Sequence, residues 1–295
     1  MSDRIIEITE TAVRLRIDIG RLAIEVQDQP VVLVPMREVA AIVVSNPAVS
    51  LTQSVLSELA QNGGIFVVMS TQFLPIAMLL PLDVHSTQTA RMGKQAQASE
   101  PTRKRAWQSI VRAKIRAQWS LLDALGKAEP GLEELLRRVQ SGDPENIEAQ
   151  AASRYWKILF GSDFRRDREA LDQNRLLNYG YAVLRAATAR AICGAGLHPS
   201  LGVQHHNQYN PFCLADDLME PYRPLVDRVV FALVAQHGAT IEMSKEVRRE
   251  LVASLLGRHL VRGEQRSLFD LLSKSAASCA RVLTEEEREL ELWIP

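Results

Sequence analysis

The sequence predicts an α+β fold: a small β-rich N-terminal domain over residues 1–84, then a larger all-α domain over residues 85–295. Three observations lead there. Short runs rich in Ile and Val recur through the first 80 residues at strand length. Near Pro81–Ser86 the pattern changes, and from there apolar residues return almost only at helical spacing. Finally, 295 residues that are 46% apolar can bury the core of one or two domains.

The strands come first. Arg4–Thr9, Ala12–Ile17, Leu22–Val26, Val31–Val34 and Val39–Val44 are spaced like successive strands, with turns at Gly20 and Asp28–Pro30. In Ala12–Ile17 apolar and charged residues alternate, which suits a sheet with one wet face. Leu51, Val55, Leu56 and Leu59 recur at helical spacing, so a helix is predicted over Leu51–Gln61, ended by Gly63–Gly64. Ile65–Met69 and Ile76–Leu80 read as two further buried strands. This domain has five basic residues against nine acidic ones and no catalytic constellation, so it reads as an assembly or packing module.

The helices follow. Thr87–Gln97 is one and Pro101–Leu125 the next; in the second, Trp107, Ile110, Val111, Ile115, Gln118 and Leu122 keep a 3.6-residue period and should face the core. Gly131–Gln140 is a short helix. Asp143 then reads as the N-cap, and Pro144 as the first residue, of a helix carrying Glu148 among small residues. Leu171–Cys193 is long, rich in Leu and Ala, and stopped by Gly194 and Gly196. Leu214–Glu220 is helical, but Pro221 and Pro224 each remove an amide donor, so a kink is predicted before Leu225–Gln236. Ser244–Leu256 and Ser267–Val282 are amphipathic. The tail is acidic and ends in Leu292, Trp293 and Ile294, an apolar end suited to docking on a partner or on the body of the protein.

Composition narrows the function. The formal net charge is zero, so any contact with nucleic acid needs a local patch. One exists: between Arg91 and Arg116 stand Arg91, Lys94, Arg103, Lys104, Arg105, Arg112, Lys114 and Arg116, with Glu100 the one acid. That is the footprint of a phosphate-backbone contact, or alternatively of a solvated helix face. Cys193, Cys213 and Cys279 have no metal-type spacing and cannot all pair, which points to a reducing, cytoplasmic setting. No run reaches the ~20 apolar residues of a membrane span. The N-terminus MSDRIIEITE lacks the apolar centre of a signal peptide.

The chemistry gathers in Gly196–Arg223, which holds three of the six histidines, His198, His205 and His206, followed by Asp216, Asp217 and Glu220. Asp217 and Glu220 are three apart and share a helix face, where two carboxylates repel unless a cation sits between them. Glu148 becomes a third acid if its helix packs beside them. A histidine and carboxylates suit Mg²⁺ or Mn²⁺, which stabilise charge on phosphate oxygens or activate a bound water or hydroxyl. Zinc fits less well, with no cysteine and no His-x-x-x-His pair. Gly-x-Ser-x-Gly, Walker and dinucleotide glycine patterns are absent. His198 beside Pro199 reads as structural. His205 and His206 compete, since neighbours on a loop point different ways. Asp216 lies about 100° round a helix from Asp217 and should face solvent or cap a turn. On these residues alone, a metal site and a merely structural cluster both stand.

The order Glu148-Ala-x-Ala-Ala-x-x-Tyr155, then LNYGYAVLRA at Leu177–Ala186, then GLHPSLGVQHHNQYNPFCLADDLMEPYRPLVD at Gly196–Asp227, resembles the CRISPR-associated integrase that acquires new spacers. HSTQTARM at His85–Met92 and ASEPTRKRAWQSIVRAKI at Ala98–Ile115 look like the same family. The histidine–asparagine loop and the compact length are most similar to the variant of type II CRISPR systems. The resemblance implies that Glu148, His205 and Glu220 are the catalytic metal ligands, with Asp217 in support; His206 falls one position late, and Gln204 departs from the family's apolar preference. It implies Mg²⁺ or Mn²⁺ as cofactor and a homodimer built through the β domains. It also implies a small second CRISPR adaptation protein, itself a dimer, as partner. Double-stranded DNA is then the substrate: 3′-hydroxyl ends of a short protospacer duplex joined to the CRISPR repeat. In that picture Arg91, Arg103, Lys104, Arg105, Arg112 and Arg116 hold DNA backbone, an inference from charge rather than from motif. Two alternatives stay open: a metal-dependent nuclease of branched DNA working without a partner, and a non-enzymatic DNA-binding scaffold.

Overall fold

The computed structural model describes residues 4–9, 11–70, 75–79, 85–127, 129–167 and 169–295. Its strands lie mostly in the N-terminal region and its helices in the C-terminal part, the α+β arrangement the sequence predicts.

Two four-stranded sheets make the N-terminal part. The first runs β1 (Arg4–Ile8), β5 (Val39–Val44), β7 (Ile65–Met69), β8 (Pro75–Leu79), with β1, β5 and β7 parallel and β8 antiparallel to β7. The second runs β4 (Val32–Pro35), β3 (Arg21–Val26), β2 (Val13–Asp18), β6 (Ser50–Leu51). Val39–Val44 is apolar at every position because its strand is covered on both faces. One face packs on the second sheet and α1 (Gln53–Gln61), through Leu15, Leu22, Ile42 and Leu59. The other, through Ala41, Val43, Ile65 and Val67, shares a core with the helices. The helix expected from Leu51 starts two residues later, because Ser50–Leu51 pairs with β2 as a short strand. Leu80 and residues 81–84, within the expected change of pattern near Pro81–Ser86, lie outside the described residues.

The helical part comprises α2 (Gln88–Ala96), α3 (Glu100–Ala124), α4 (Pro130–Arg138), α5 (Ile147–Phe160), α6 (Asn174–Gly194), α7 (Cys213–Met219), α8 (Arg223–His237), α9 (Lys245–Leu256) and α10 (Leu268–Leu283). Trp107, Ile110, Val111, Ile115, Gln118 and Leu122 are all buried, as their period requires. Gly180 lets α6 and α8 approach: a Cβ there would stand 2.4 Å from Val226 Cγ1. The expected kink lies between α7 and α8, where Glu220–Tyr222 forms one 3₁₀ turn around Pro221.

Three local readings need correction. The strand expected to be buried at Ile76–Leu80 is the edge strand β8, with Ile76 67% exposed. The glutamate helix starts at Ile147, not at Pro144, with Asn146 in the left-handed region at φ 52°. Asp143 still caps it, from further back, its carboxylate accepting the amides of Ile147 and Glu148, each at 2.9 Å. The helical region also contains a hairpin, β9 (Arg258–Val261) with β10 (Glu264–Ser267), in the stretch between the two expected helices Ser244–Leu256 and Ser267–Val282. No helix among the described residues is long and apolar enough to cross a membrane.

Candidate active site

The segment between α6 and α7 folds back onto α7 around one buried carboxylate. Asp217 is fully buried. Its Oδ2 accepts the backbone amides of Val203 at 2.7 Å and Gln204 at 3.0 Å. Its Oδ1 accepts the His205 amide at 3.4 Å and the His205 Nδ1–H at 2.5 Å. Such a convergence of N–H groups satisfies a buried charge without a counter-ion. The approach needs glycine at 202, where a Cβ would stand 2.4 Å from the His205 carbonyl oxygen and 2.9 Å from Asp217 Oδ2. Trp107 of α3 meets the His205 ring edge-on, with centroids 5.9 Å apart. The hydrogen bond to Asp217 lifts the His205 pKa above the ordinary imidazole range, against the opposing effect of burial. With Nδ1 donating to Asp217, the lone pair of a neutral His205 lies on Nε2, the arrangement common to metal-binding histidines.

The other half of the site joins three elements. Glu148 comes from the first turn of α5 and Glu220 from the 3₁₀ turn. Between their carboxylates lies the ammonium of Lys114 from α3, bonded to Glu148 Oε1 and 2.5 Å from Glu220 Oε2. Arg223 Nε adds a contact of 2.9 Å to Glu220 Oε1. Burial would pull Lys114 down, but Glu220 and Glu148 outweigh it and hold the ammonium charged. Burial would likewise push Glu220 up, yet Arg223 and Lys114 bring it below the usual carboxylate range. A cleft of about 580 Å³ opens over this region, lined by His205, Asn207, Tyr209, Asp216, Glu220 and Arg223.

Lys114 is the residue that sequence reasoning misread. It was counted in the basic patch, but it is 7% exposed and faces inward. The signal was present: 107, 110, 111, 114 and 118 fall on one helical face, so a lysine at 114 had to be buried and paired. Asp216 also departs from expectation. It is buried, bonded to Arg185 Nε at 2.6 Å and Asn210 Nδ2 at 2.7 Å, because α7 is covered where a solvated helix was expected. His205 and His206 are both exposed, and His205 is the one bonded to Asp217. His198 bonds its neighbour Ser200 at 2.7 Å, as a structural residue does.

The basic residues divide. Lys104, Arg105, Arg112 and Arg116 are exposed along α3, and Arg103 is half-buried. Lys104 pairs with Glu100 at 2.7 Å, Arg105 bonds Thr102 Oγ1 at 3.2 Å, and Arg112 bonds the Val139 carbonyl at 2.9 Å. Arg91 is half-buried and bonds the Ala195 carbonyl at 2.8 Å, where α6 ends.

The donor chemistry fits a hard divalent cation. Two carboxylates from separate elements converge on a place where one positive charge is already held, beside an imidazole anchored through its far nitrogen. Among the described residues no three His, Cys, Asp or Glu side chains close around one point, and the Lys114 ammonium lies between the two glutamates. Asp217 has both oxygens engaged by the amides of residues 203–205 and the His205 ring.

The comparisons with known proteins agree on one family. The model of the CRISPR-associated protein Cas1 family matches residues 6–255. The CRISPR-associated endonuclease Cas1 of Neisseria meningitidis serogroup C is 37% identical over 263 residues, covering 88% of this chain and 86% of that protein. Among solved structures, a casposase bound to integration product superposes with a TM-score of 0.80 at 19% identity, covering 98% of this chain and 92% of that one. A Cas6-RT-Cas1–Cas2 complex superposes with a TM-score of 0.77 at 18% identity, over 98% of this chain and 36% of that one. At those identities the two structures establish a shared fold.

Proposed function

The chain belongs to the Cas1 family of CRISPR-associated endonucleases, and on that premise we propose that it is the integrase of spacer acquisition, joining the 3′-hydroxyl ends of a short protospacer duplex to the CRISPR repeat by transesterification. The observation that carries the reading is the convergence of Glu148 and Glu220 on one cation position, beside an imidazole fixed by a buried carboxylate. Glu148, Glu220 and the Nε2 of His205 are the proposed ligands of Mg²⁺ or Mn²⁺. When bound, such an ion stabilises charge on phosphate oxygens and lowers the pKa of an attacking hydroxyl. The chain's own residues do the rest. Asp217 holds the imidazole in one tautomer. Arg223 and Lys114 keep Glu220 ionised, and the segment around His205 walls one side of the cleft.

DNA binding is assigned to the exposed side of α3. Arg105, Arg112 and Arg116 lie on the face opposite Lys114, and Arg103 and Lys104 precede them. They position the backbone rather than read sequence. Arg91 is better placed to support the end of α6 than to reach a phosphate.

The proposed partners are a second copy, through the β-rich region of residues 1–84, and a dimer of the small second adaptation protein. Val31, Val32 and Leu33 support the first: they are 47%, 56% and 38% exposed at the edge strand of the second sheet. The GVQHHNQYNPFCLADDLMEPYRP form supports the type II variant. Three free buried cysteines suit the cytoplasm. With water as nucleophile, the same site is proposed to cut branched DNA.

One observation favours a second reading: Lys114 neutralises both glutamates, as a purely structural triad would. Purified protein with and without its small partner, a 3′-OH duplex, a plasmid carrying a CRISPR array and Mg²⁺ or Mn²⁺ separates the readings. Joined products that need the partner and vanish with EDTA or in Glu148→Ala are the expected result. Cleavage of branched DNA with no joining assigns the nuclease. DNA binding with no metal-dependent product, unchanged in Glu148→Ala, assigns the scaffold.

A further inference from the structure

The turn that carries Glu220 is three residues long; its backbone is tied by the Glu220 amide to the Asp217 carbonyl and by the Arg223 amide to the Glu220 carbonyl, while Pro221 contributes no amide. Its last residue, Tyr222, is fully buried and reaches away from the cleft. The Tyr222 hydroxyl lies 2.7 Å from Ser275 Oγ, 3.1 Å from the Trp293 carbonyl oxygen and 3.4 Å from the Leu271 carbonyl oxygen. Its contacts are thus α10 and the extended C-terminal segment.

That segment is pinned at successive points. Ser275 Oγ accepts the Trp293 amide at 2.8 Å, and Ser278 Oγ, one turn along α10, accepts the Glu291 amide at 2.9 Å. Both serines are fully buried, so these bonds are made away from water. Leu290 is buried, and Leu292, Trp293 and Ile294 pack on the main core. The Trp293 ring is ringed by cations: Arg262 at 4.0 Å, Lys274 at 4.6 Å and Arg266 at 5.1 Å from its centroid. Arg262 also pairs with Glu291 at 2.6 Å. Residues 291–294 therefore form a strap from the β9–β10 hairpin, along α10, to the hydroxyl two residues beyond Glu220. The strap and hairpin lie past residue 255, where the family match ends.

We infer that the C-terminal strap, acting through the Tyr222 hydroxyl, is a positioning element for Glu220: it fixes the turn so that the carboxylate meets the cation shared with Glu148. This rests on the reading of Glu220 as a metal ligand. Glu220 and Tyr222 are two residues apart in one turn, so freedom at the tyrosine passes directly to the carboxylate. Tyr222 touches no reacting atom, and its part is geometric.

The test uses the full-length protein with Tyr222→Phe, Ser275→Ala and Trp293→Ala. Two readouts are taken: Mn²⁺ affinity from the electron paramagnetic resonance of free Mn²⁺, and hydrogen exchange of the amides of residues 217–223. Tyr222→Phe removes one hydroxyl and keeps the packing; it should weaken Mn²⁺ binding roughly three- to tenfold, as the loss of a buried hydrogen bond allows. Exchange across the turn should quicken while the rest of α8 stays protected. Trp293→Ala should do at least as much, and the Tyr222→Phe/Trp293→Ala pair no more than Trp293→Ala alone, since both act through one contact. Unchanged exchange in Tyr222→Phe and Ser275→Ala overturns the proposal, and so does an additive loss in the double variant. If Trp293→Ala does not fold, those two single variants decide. Glu220→Gln separates the two readings: Mn²⁺ affinity unchanged in that variant removes the ligand assignment, while the exchange data still decide whether the strap holds the turn.

Discussion

The segment that carries His205 and the turn that carries Glu220 lie fifteen residues apart, yet opposite means keep their buried charges in place. Around Asp217 the charge is met by N–H groups: three backbone amides and one imidazole, all from residues 203–205. Around Glu220 it is met by cations from other elements, Lys114 of α3 and Arg223 of α8. A third buried acid, Asp227, shows another solution. It bonds the Tyr155 hydroxyl at 2.8 Å and the Tyr181 hydroxyl, and burial pushes its carboxyl up to about 7. Amides, cations and a proton are thus three answers to one desolvation cost. The amide-bound half is self-contained and rigid. The cation-bound half draws its charges from separate elements, and the proposed site needs Lys114 to give way to a metal there.

The sharpest way to break this contrast is Asp217→Asn. An amide cannot accept four donors, and its own N–H₂ would face them. A loss of about 3–5 kcal/mol in chemical unfolding is expected, with no recovery on adding Mn²⁺. A loss under about 1 kcal/mol would show that the segment does not depend on the charge. Lys114→Met should cost less, about 2–3 kcal/mol, because Glu148 keeps some access to water. Here added Mn²⁺ should restore the thermal midpoint, and more than it raises the wild type. An equal response in both proteins would mean that lysine and metal do not share a place.

Asp227 gives a smaller, pH-dependent effect. Its folded pKa is raised, so between about pH 4 and pH 7 the native state keeps a proton that the unfolded chain has released. Stability should therefore fall as pH rises through that window, by about 3 kcal/mol. Asp227→Asn should flatten that part of the profile, read from urea midpoints at pH 5 and pH 8; an unaltered slope would mean that Asp227 is ionised throughout. The smallest effect on stability belongs to the surface. Arg105→Ala, Arg112→Ala and Arg116→Ala should leave unfolding nearly unchanged, and each should lower the salt dependence of DNA binding by about one unit of slope. An unchanged slope in the triple variant would remove α3 from the DNA surface.

What was legible in the sequence followed from periodicity. The apolar run Val39–Val44 announced a covered strand, and the phase of Trp107, Ile110 and Leu122 gave the inward face of α3. The stretch from Gly202 to Glu220 announced chemistry by density of side chains alone. The hairpin at 258–267 escaped, because two four-residue strands with Arg258, Glu264 and Arg266 among them show no apolar alternation. The start of the glutamate helix was misplaced because Asp143 reaches its amides across a turn that no local pattern marks. For Lys114 the phase of α3 gives burial but not the partners, which lie 34 and 106 residues away on elements whose packing no spacing within α3 reports.

The measurement closest to the central claim compares His205→Ala with His206→Ala, reading Mn²⁺ affinity and strand joining on the same preparations. In the proposed site His205 Nε2 lies at the cation and His206 stands in solvent. His205→Ala should bind Mn²⁺ at least about tenfold more weakly and join no DNA, while His206→Ala should stay near wild type in both. Equal losses in the two variants, or a loss confined to His206→Ala, would contradict the site as drawn.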